Sequence, residues 1–388
     1  MQLFDTRKFK YWGHAEPPFS KSRIKILENL SKAILKSKDA KAYSDLVAFG
    51  FFCRSKNLHE LLKKNKNEEF SIGIGTILHI TPSNIPMNFA LSFLFGFLSG
   101  NTNIIKTPLS KFPQVKIFVD LWKKISKDSP EIEKNIFIDF DRNDENLDYF
   151  TNSADGILAW GGDKTISSIN NRPRKPSSIV WCFPDRYSIS VINLATFVQL
   201  SVNLKKKLAR NFFNDSLVVD QNACSSPSIL YWYNPDCIDV TEAKISFWSH
   251  FLEENSDRFS LNAVQKIDRS IILGHIAFMK DVKVCNNFSD NFVRVELNHN
   301  NVDLDDVKPR LGIFFESVIS KFDDITSANN RKLQTISQFG FDKNHIRSFI
   351  LKNNLRGCDR VVDIGQALDF SLDWDGKNAI QQLTRKIF

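Results

Sequence analysis

The sequence predicts an α/β protein: a parallel sheet with helices on both faces, joined to a second α/β lobe. Three observations carry this reading. Short β-branched runs alternate with helix-length apolar or amphipathic segments between about residues 72 and 170. Turn residues, chiefly Pro, Asn and Gly, stand at the C-terminal ends of those runs. The chain's 388 residues, 42% hydrophobic and 25% charged, exceed one average domain and supply apolar material for more than one core.

In chain order, Ser22–Leu35 and Ala42–Leu62 place Leu, Ile, Val and Phe three and four residues apart, which predicts two helices. Ile72–Ile80 is short and β-branched, hence a buried strand, and it stops at the turn Thr81-Pro-Ser-Asn-Ile-Pro86. Met87–Ser99 has helix length and is apolar all round, with Gly100 at its end. Thr102–Lys106 is the next strand and Val115–Ile125 the next helix. Ile136–Phe140, a helix over Asp144–Thr151, and Gly156–Trp160 continue the alternation. Beyond Arg186 the reading is a strand over Tyr187–Ile192, a long helix over Leu194–Phe212, a polar loop Asp220–Pro227 and a strand Ser228–Tyr233. A Trp374-Asp-Gly376 turn and a short final helix close the chain. The division expected is residues 1–190, N-terminal helices and a Rossmann-like lobe, and residues 191–388, a second α/β lobe.

Composition excludes several classes. Glycine (15) and proline (13) are too scarce for collagen-like or low-complexity sequence, and the 34 phenylalanines are scattered rather than repeated. The net charge of +8 is modest for this length. Its densest runs, Lys63, Lys64 and Lys66, then Lys205–Lys207, read as solvated faces rather than a phosphate track. A basic surface also suits a polyanionic small molecule such as a nucleotide cofactor or a coenzyme A thioester. Six cysteines without CxxC or paired spacing predict neither disulfides nor a zinc site. Met1–Tyr11 has no apolar signal region, so a reducing, cytoplasmic setting is expected. Ser71–Ile105 carries no formal charge, but Pro82, Pro86, Asn84, Asn88 and Asn101 interrupt it, so a buried helix is expected there and no membrane span.

Three residues stand out chemically. Cys224 lies in a polar loop whose amides can lower a thiol pKa and donate to an oxyanion; the plain alternative is a small buried hydrophobe. Asn84, between two prolines, is either an oriented amide or a turn-former. Lys106 ends a parallel strand, where α/β sheets bind ligands, although a lone lysine there is commonly solvated. Gly161-Gly162 ends another strand and opens a helix, a place where phosphate docks on backbone amides. Gly73-x-Gly75 lacks a third glycine, so the usual dinucleotide fingerprint is missing.

These segments together resemble the aldehyde dehydrogenase superfamily, and more closely the LuxC-type acyl-CoA reductases. Ala48–Arg54 is similar to that family's N-terminal helix. His79 through Pro82-Ser-Asn-Ile-Pro86 to Gly100-Asn-Thr-Asn-Ile-Ile-Lys106 is similar to the superfamily's Pro-x-Asn-x-Pro turn, helix and Gly-Asn-Thr-x-x-x-Lys strand. Asp220-Gln-Asn-Ala-Cys-Ser-Ser-Pro227 resembles the reductases' nucleophile loop, and Asp359–Phe370 with Trp374-Asp-Gly376 their C-terminal signature.

The resemblance implies an aldehyde dehydrogenase-like fold, an NADP(H)-binding first lobe and a catalytic second lobe. It implies Cys224 as the nucleophile that attacks an acyl thioester. The Asn84 side chain and the Cys224 backbone N–H would form the oxyanion hole. Thr81, Pro82, Ser83, Lys106, Thr107, Gly161 and Gly162 would surround NADPH, with Lys106 at the adenosine ribose and 2′-phosphate. Two departures are informative. No glutamate base appears in Val180–Tyr187, where Cys182 takes its place, which favours reduction over hydrolysis to a free acid. Lys106-Thr-Pro-Leu-Ser110 lacks the second ribose contact of NAD-specific relatives, which favours NADPH. Glu316 is a candidate ribose contact or a surface carboxylate; His250, His275 and His345 receive no role. The phenylalanines of Met87–Leu98 would line an acyl tunnel or pack the core.

The expectation is therefore an oxidoreductase that reduces a medium- or long-chain fatty acyl thioester to the aldehyde through a cysteine acyl-enzyme. Its donor would be acyl-CoA or a protein-bound thioester, with an acyl-activating protein as partner and homo-oligomeric assembly, and no nucleic acid. The rivals are a short-chain CoA-acylating aldehyde dehydrogenase using NAD, and a catalytically silent binding protein of the same fold.

Overall fold

A parallel strand covered by helices on both faces has no solvent side, so it reads as an unbroken apolar or β-branched run. Thr76–Ile80 (β1), Thr102–Lys106 (β2), Asn135–Ile138 (β3), Gly156–Trp160 (β4) and Ile179–Phe183 (β5) form such a sheet, all parallel, in the order β3-β2-β1-β4-β5. The computed structural model describes residues 9–65, 70–139, 146–279, 282–298, 308–328 and 331–388; Met1 and most of the stretch it opens, Lys66, Phe140 and Asp144, named above, lie outside them. The chain divides into two compact units, Met1–Asp185 with Phe370–Phe388, and Arg186–Asp369.

In the first unit, Lys21–Lys36 (α1), Ser44–Phe52 (α2), Asn88–Leu98 (α3) and Pro113–Ser126 (α4) share one hydrophobic cluster with Ile77, Ile105 and Leu158 of the sheet. On the other face, Leu78, Ile80, Ile104, Ile157 and Ala159 pack with Leu147 and Phe150 of Asn146–Ser153 (α5) and Ile169 of Asp163–Asn170 (α6). The alternation of faces along each strand follows from its two-residue period. Helix α3 is buried from Phe89 to Leu98. Phe89 meets Phe118 at 5.0 Å between centroids and Phe93 meets Trp122 at 5.1 Å, both edge to face. Burying one such ring stabilises by about 1.5–3 kcal/mol, so the uncharged composition of this helix is explained by the core it fills. No helix among the described residues is long and apolar enough to cross a membrane.

The second unit repeats the principle with a larger sheet. Tyr187–Asn193 (β6), Pro227–Tyr233 (β7), Val282–Asn287 (β8), Val293–Leu297 (β9), Ile313–Ile319 (β10), Leu333–Phe339 (β11) and Arg360–Asp363 (β12) are ordered β12-β11-β6-β7-β10-β9-β8. The β8–β9 pair is antiparallel and the other pairs are parallel. Val202–Leu217 (α7) and Thr241–Asn255 (α8) cover one face through Phe212, Phe247, Trp248 and Phe251.

Several boundaries differ from expectation for identifiable reasons. The helix expected over 42–62 is broken at Cys53 and Arg54; Arg54 is extended, and the Asn57 side chain donates to the freed Phe52 carbonyl at 2.7 Å. The strand expected over 72–80 is two strands, because Gly75 adopts φ 134° and a Cβ there would lie 2.2 Å from Asp155 Oδ2. The first piece, Ser71–Gly73, pairs antiparallel with Thr384–Lys386. That pairing, with Phe370 against Phe49 at 5.7 Å, returns the last 19 residues to the first unit. The expected break between residues 190 and 191 falls within β6, whereas the compact units part at Asp185 and Arg186. The helix expected over 194–212 is likewise two, Leu194–Val198 and α7.

Candidate functional site

In the first sheet β1 is central, β2 and β3 follow to one side, and β4 and β5 to the other. The strand order therefore reverses beside β1, and α/β sheets bind ligands outside the strand C-termini at such a point. A cavity of about 480 Å³ lies there, within the range of small-molecule sites. Ile80 ends β1, Lys106 ends β2 and Trp160 ends β4, and all three line it. The turn Thr81, Pro82, Ser83, Asn84 forms another wall, with Asn84 exposed. The Thr81 hydroxyl donates to the Lys106 carbonyl at 2.5 Å, tying the end of β1 to the end of β2.

Opposite this turn stand Gly161 and Gly162, followed by α6, which contributes Lys164, Thr165, Ser168 and Ile169. A Cβ on Gly162 would meet nothing within 4 Å, so packing inside the protein does not demand that glycine; its absence leaves room for a bound group against the backbone. The charged side chains lining the cavity are Lys106, Lys164 and Arg172, with no carboxylate among them. Arg172 is held by Asp148 of α5 at 2.6 Å, a bond that links α5 to the turn that follows α6. The apolar walls Ile80, Leu147 and Ile169 and the cationic groups together suit a phosphorylated ligand with a flat, poorly solvated part.

Of the residues expected around a cofactor, Thr81, Pro82, Ser83, Lys106, Gly161 and Gly162 line this one cavity, together with Asn84. Thr107 does not. It is fully buried, and both its N–H and its hydroxyl are directed at the Ile138 carbonyl of β3, at 2.7 and 3.2 Å. Trp160, Lys164 and Arg172 were not singled out from sequence. The strand-end position of Trp160 beside the glycine pair was the available signal, whereas Arg172 is placed by a fold contact with no local signature.

Cys224 lies in the second unit, just before β7, and is half-buried. Its loop is tightly held. Asp220 and Gln221 take left-handed backbone angles, φ 51° and 58°, which reverse the chain after α7. The Gln221 side chain donates to Ile313 O at 2.9 Å and accepts from Gly312 N at 2.9 Å, a two-point fork onto the start of β10. The Ser188 hydroxyl of β6 donates to the Cys224 carbonyl at 2.7 Å and accepts from Thr335 N at 3.2 Å. Burial raises the pKa of Asp220, whose carboxylate accepts from Gln265 at 3.3 Å. Gln221 and Ser188 went unremarked in the sequence, because their role depends on strands that arrive 90 to 150 residues away.

One further residue takes a different place from that read. Glu316 is fully buried rather than at the surface: Trp232 and Trp248 donate their indole N–H groups to it at 3.3 and 3.0 Å, and Arg294 pairs with it at 2.9 Å. Cys182, at the end of β5, donates to Asn170 Oδ1 at 3.7 Å, and burial raises its pKa.

The overall architecture is that of the aldehyde dehydrogenases. Aldehyde dehydrogenase 21 from Physcomitrella patens, solved with the reaction product succinate, superposes with a TM-score of 0.64 at 13% identity, over 94% of this chain and 84% of that one. Within that fold class, the acyl-CoA reductase (LuxC) profile matches residues 50–386, and the chain belongs to that family. It is 25% identical over 196 residues to a long-chain acyl-protein thioester reductase of Aliivibrio fischeri, across 49% of this chain and 39% of the relative. It is 28% identical over 173 residues to long-chain acyl-protein thioester reductase 2 of Photobacterium leiognathi, across 43% and 33% respectively. The matched stretches thus span well under half of either relative.

Proposed function

We propose that this chain reduces fatty acyl thioesters to aldehydes with NADPH, through an acyl-enzyme on Cys224. The observation that carries the cofactor half is the cavity at the sheet's reversal point, lined by Lys106, Lys164 and Arg172 with no carboxylate. The first unit, Met1–Asp185 with Phe370–Phe388, would bind the cofactor, and the second, Arg186–Asp369, would supply the nucleophile. The acyl donor would be acyl-CoA or a protein-bound thioester handed over by an acyl-activating partner, in a cytoplasmic homo-oligomer.

Lys106 and Arg172 would neutralise phosphate, and the backbone at Gly162 would accept close approach by the pyrophosphate. When bound, NADPH supplies a hydride to the acyl carbon. The Cys224 thiolate attacks the thioester carbonyl, the C–S bond to the departing thiol breaks, and that thiolate takes up a proton. The Asn84 amide and the Cys224 N–H stabilise the oxyanion at this step. After reduction, collapse of the hemithioacetal releases aldehyde and regenerates the Cys224 thiolate. With Cys182 where a glutamate base would stand, the chain lacks a carboxylate to activate water there, which favours survival of the acyl-enzyme for reduction.

NADPH consumption at 340 nm across acyl-CoAs from acetyl to palmitoyl tests the reading. Turnover should peak at medium or long chains and yield aldehyde. Cys224→Ala should lower it at least about 10³-fold, and Asn84→Ala about 10²–10³-fold. Turnover that survives Cys224→Ala rejects the mechanism.

A further inference from the structure

A polar chain runs through the interior of the first unit, beneath the phenylalanines of α3. It begins at Trp160, which lines the cavity and whose ring stacks on Phe183 at 3.7 Å and 11°. Its Nε1 donates to Ser92 Oγ at 3.0 Å; Ser92 Oγ meets His79 Nδ1 at 2.8 Å, and His79 Nε2 meets Asn103 Oδ1 at 2.9 Å. Asn103 Nδ2 donates to Asn101 O at 2.9 Å and to Asn135 Oδ1 at 2.6 Å, and Asn135 Nδ2 donates to Glu131 Oε2 at 2.8 Å.

The direction of every proton in this chain can be deduced. An indole only donates, so Ser92 accepts from Trp160, and the Ser92 proton remains available for His79 Nδ1. From the far end, Asn103 must turn its NH₂ toward the Asn101 carbonyl, which leaves Oδ1 to accept from His79 Nε2. The Asn103 end demands a neutral imidazole with its proton on Nε2, and Nδ1 then accepts from the Ser92 hydroxyl. Burial agrees, holding the pKa of His79 down at about 4. Room for the chain is made by Gly96 of α3, where a Cβ would fall 1.9 Å from Asn103 Oδ1 and 3.0 Å from His79 Nε2.

We infer that Ser92 and His79 are positioning residues of the candidate cofactor cavity, holding the Trp160 indole as a fixed wall against which the nicotinamide dinucleotide is seated. The inference rests on the cofactor reading of that cavity. Stacking on Phe183 fixes the plane of the indole, and Ser92 fixes its rotation within that plane. Without the Ser92 hydroxyl, a buried N–H and a buried imidazole nitrogen both lose their partners. The indole then gains by turning toward water in the cavity, into the volume a ligand would occupy. Trp160→Phe has no N–H to satisfy and should not depend on Ser92.

The test follows the indole ¹H–¹⁵N signals of the full chain. The protein has seven tryptophans, and the signal lost in Trp160→Phe identifies residue 160. NADPH should shift that signal in the wild type. Ser92→Ala should move it, speed its exchange with water, and raise the NADPH Kd roughly three- to tenfold, with a melting curve that still shows a folded protein. Ser92→Cys, a near-isosteric but poor acceptor, serves in its place where the alanine variant does not fold. Added to Trp160→Phe, either change should alter Kd less than about twofold, since the partner it served is gone. An unmoved Trp160 signal in Ser92→Ala, or an equal loss of affinity in the Trp160→Phe background, overturns the inference. If the wild type binds no NADPH, the cofactor reading fails and the seating of the dinucleotide fails with it. The displaced or undisplaced indole signal of Ser92→Ala then still decides separately whether Ser92 positions Trp160.

Discussion

Both units bury a carboxylate in an ion pair, Glu131 with Arg23 in the first and Glu316 with Arg294 in the second, and the first adds a neutral polar chain that has no counterpart among the described residues of the second. In the first, His79 is neutral and passes hydrogen bonds in one direction from a cavity wall toward Glu131. In the second, the Glu316 side chain is enclosed by Arg294 and two indoles, with Lys244 at 4.0 Å. Asp215 of α7 is buried too, accepting from Gly365 N at 2.6 Å and Ala367 N at 2.8 Å, and so pins the C-terminal signature loop to the helix that leads to Cys224. A neutral directional chain can seat a side chain beside a cavity without leaving net charge there. A buried ion pair, such as Glu316 with Arg294, instead makes its surroundings intolerant of losing either partner.

The comparison breaks most sharply at Glu316. Glu316→Ala strands Arg294 without its carboxylate and should cost about 3–5 kcal/mol in urea unfolding, whereas Glu316→Gln should cost less by keeping the indole bonds. Next comes pH, where the units should show slopes of opposite sign. Asp215 has a native pKa pushed up to about 7 by burial, against 3.8 ordinarily, so the folded state binds the extra proton between those values. Stability therefore falls as pH rises from about 4 to 7, by up to about 4 kcal/mol, and Asp215→Asn should remove that fall. His79 runs the other way. Its native pKa of about 4 lies below the ordinary 6.5, so the unfolded chain binds the extra proton in that window. Stability is then lost as pH drops from about 6.5 to 4, by up to about 3 kcal/mol, and His79→Gln should flatten that loss. Unfolding followed from pH 4 to 7 in each variant reads both slopes; slopes of one sign in both would erase the distinction between the units.

What could be read beforehand divides along the same line. The sheet of the first unit was legible because each strand and its terminal turn are local signals: Thr81–Pro86, Gly100 and Gly161-Gly162 mark strand or helix ends without reference to anything distant. The cavity followed in part, since Thr81, Pro82, Ser83, Asn84, Gly161 and Gly162 of its lining come from those turns. Illegible were the features made by chain segments meeting across the fold. Thr107 sits next to Lys106 in sequence, yet it turns inward to β3, and Glu316 looks like an ordinary strand carboxylate until two tryptophans 68 and 84 residues away close over it. His79 reads as a strand residue that opens the Pro-x-Asn-x-Pro segment, with no chemical role of its own; its partners lie 13 and 24 residues on. Glycine was the subtle case, because Gly75 and Gly96 are explained by close approaches, to Asp155 and to Asn103, that no local pattern announces.

The smallest expected effect sharpens the electrical side of the comparison at the cavity itself. Arg172 contributes a cation to the lining, but Asp148, with its side chain 56% exposed, offsets part of that charge from 2.6 Å. Asp148→Asn keeps a hydrogen-bond acceptor for the guanidinium while removing the negative charge, so the wall should stay in place as its potential becomes more positive. A phosphorylated ligand should then bind more tightly, by only about twofold, because an exposed carboxylate acts through solvent. The gain should be visible at about 20 mM salt and vanish near 0.5 M, where the screening length shrinks to a few ångströms. NADPH, with its additional phosphate, should gain more than NADH if the anion is seated among Lys106, Lys164 and Arg172. Equal gains for both would place the extra phosphate outside the reach of this wall, and weaker binding of both would mean that Asp148 serves to orient Arg172 rather than to temper its charge.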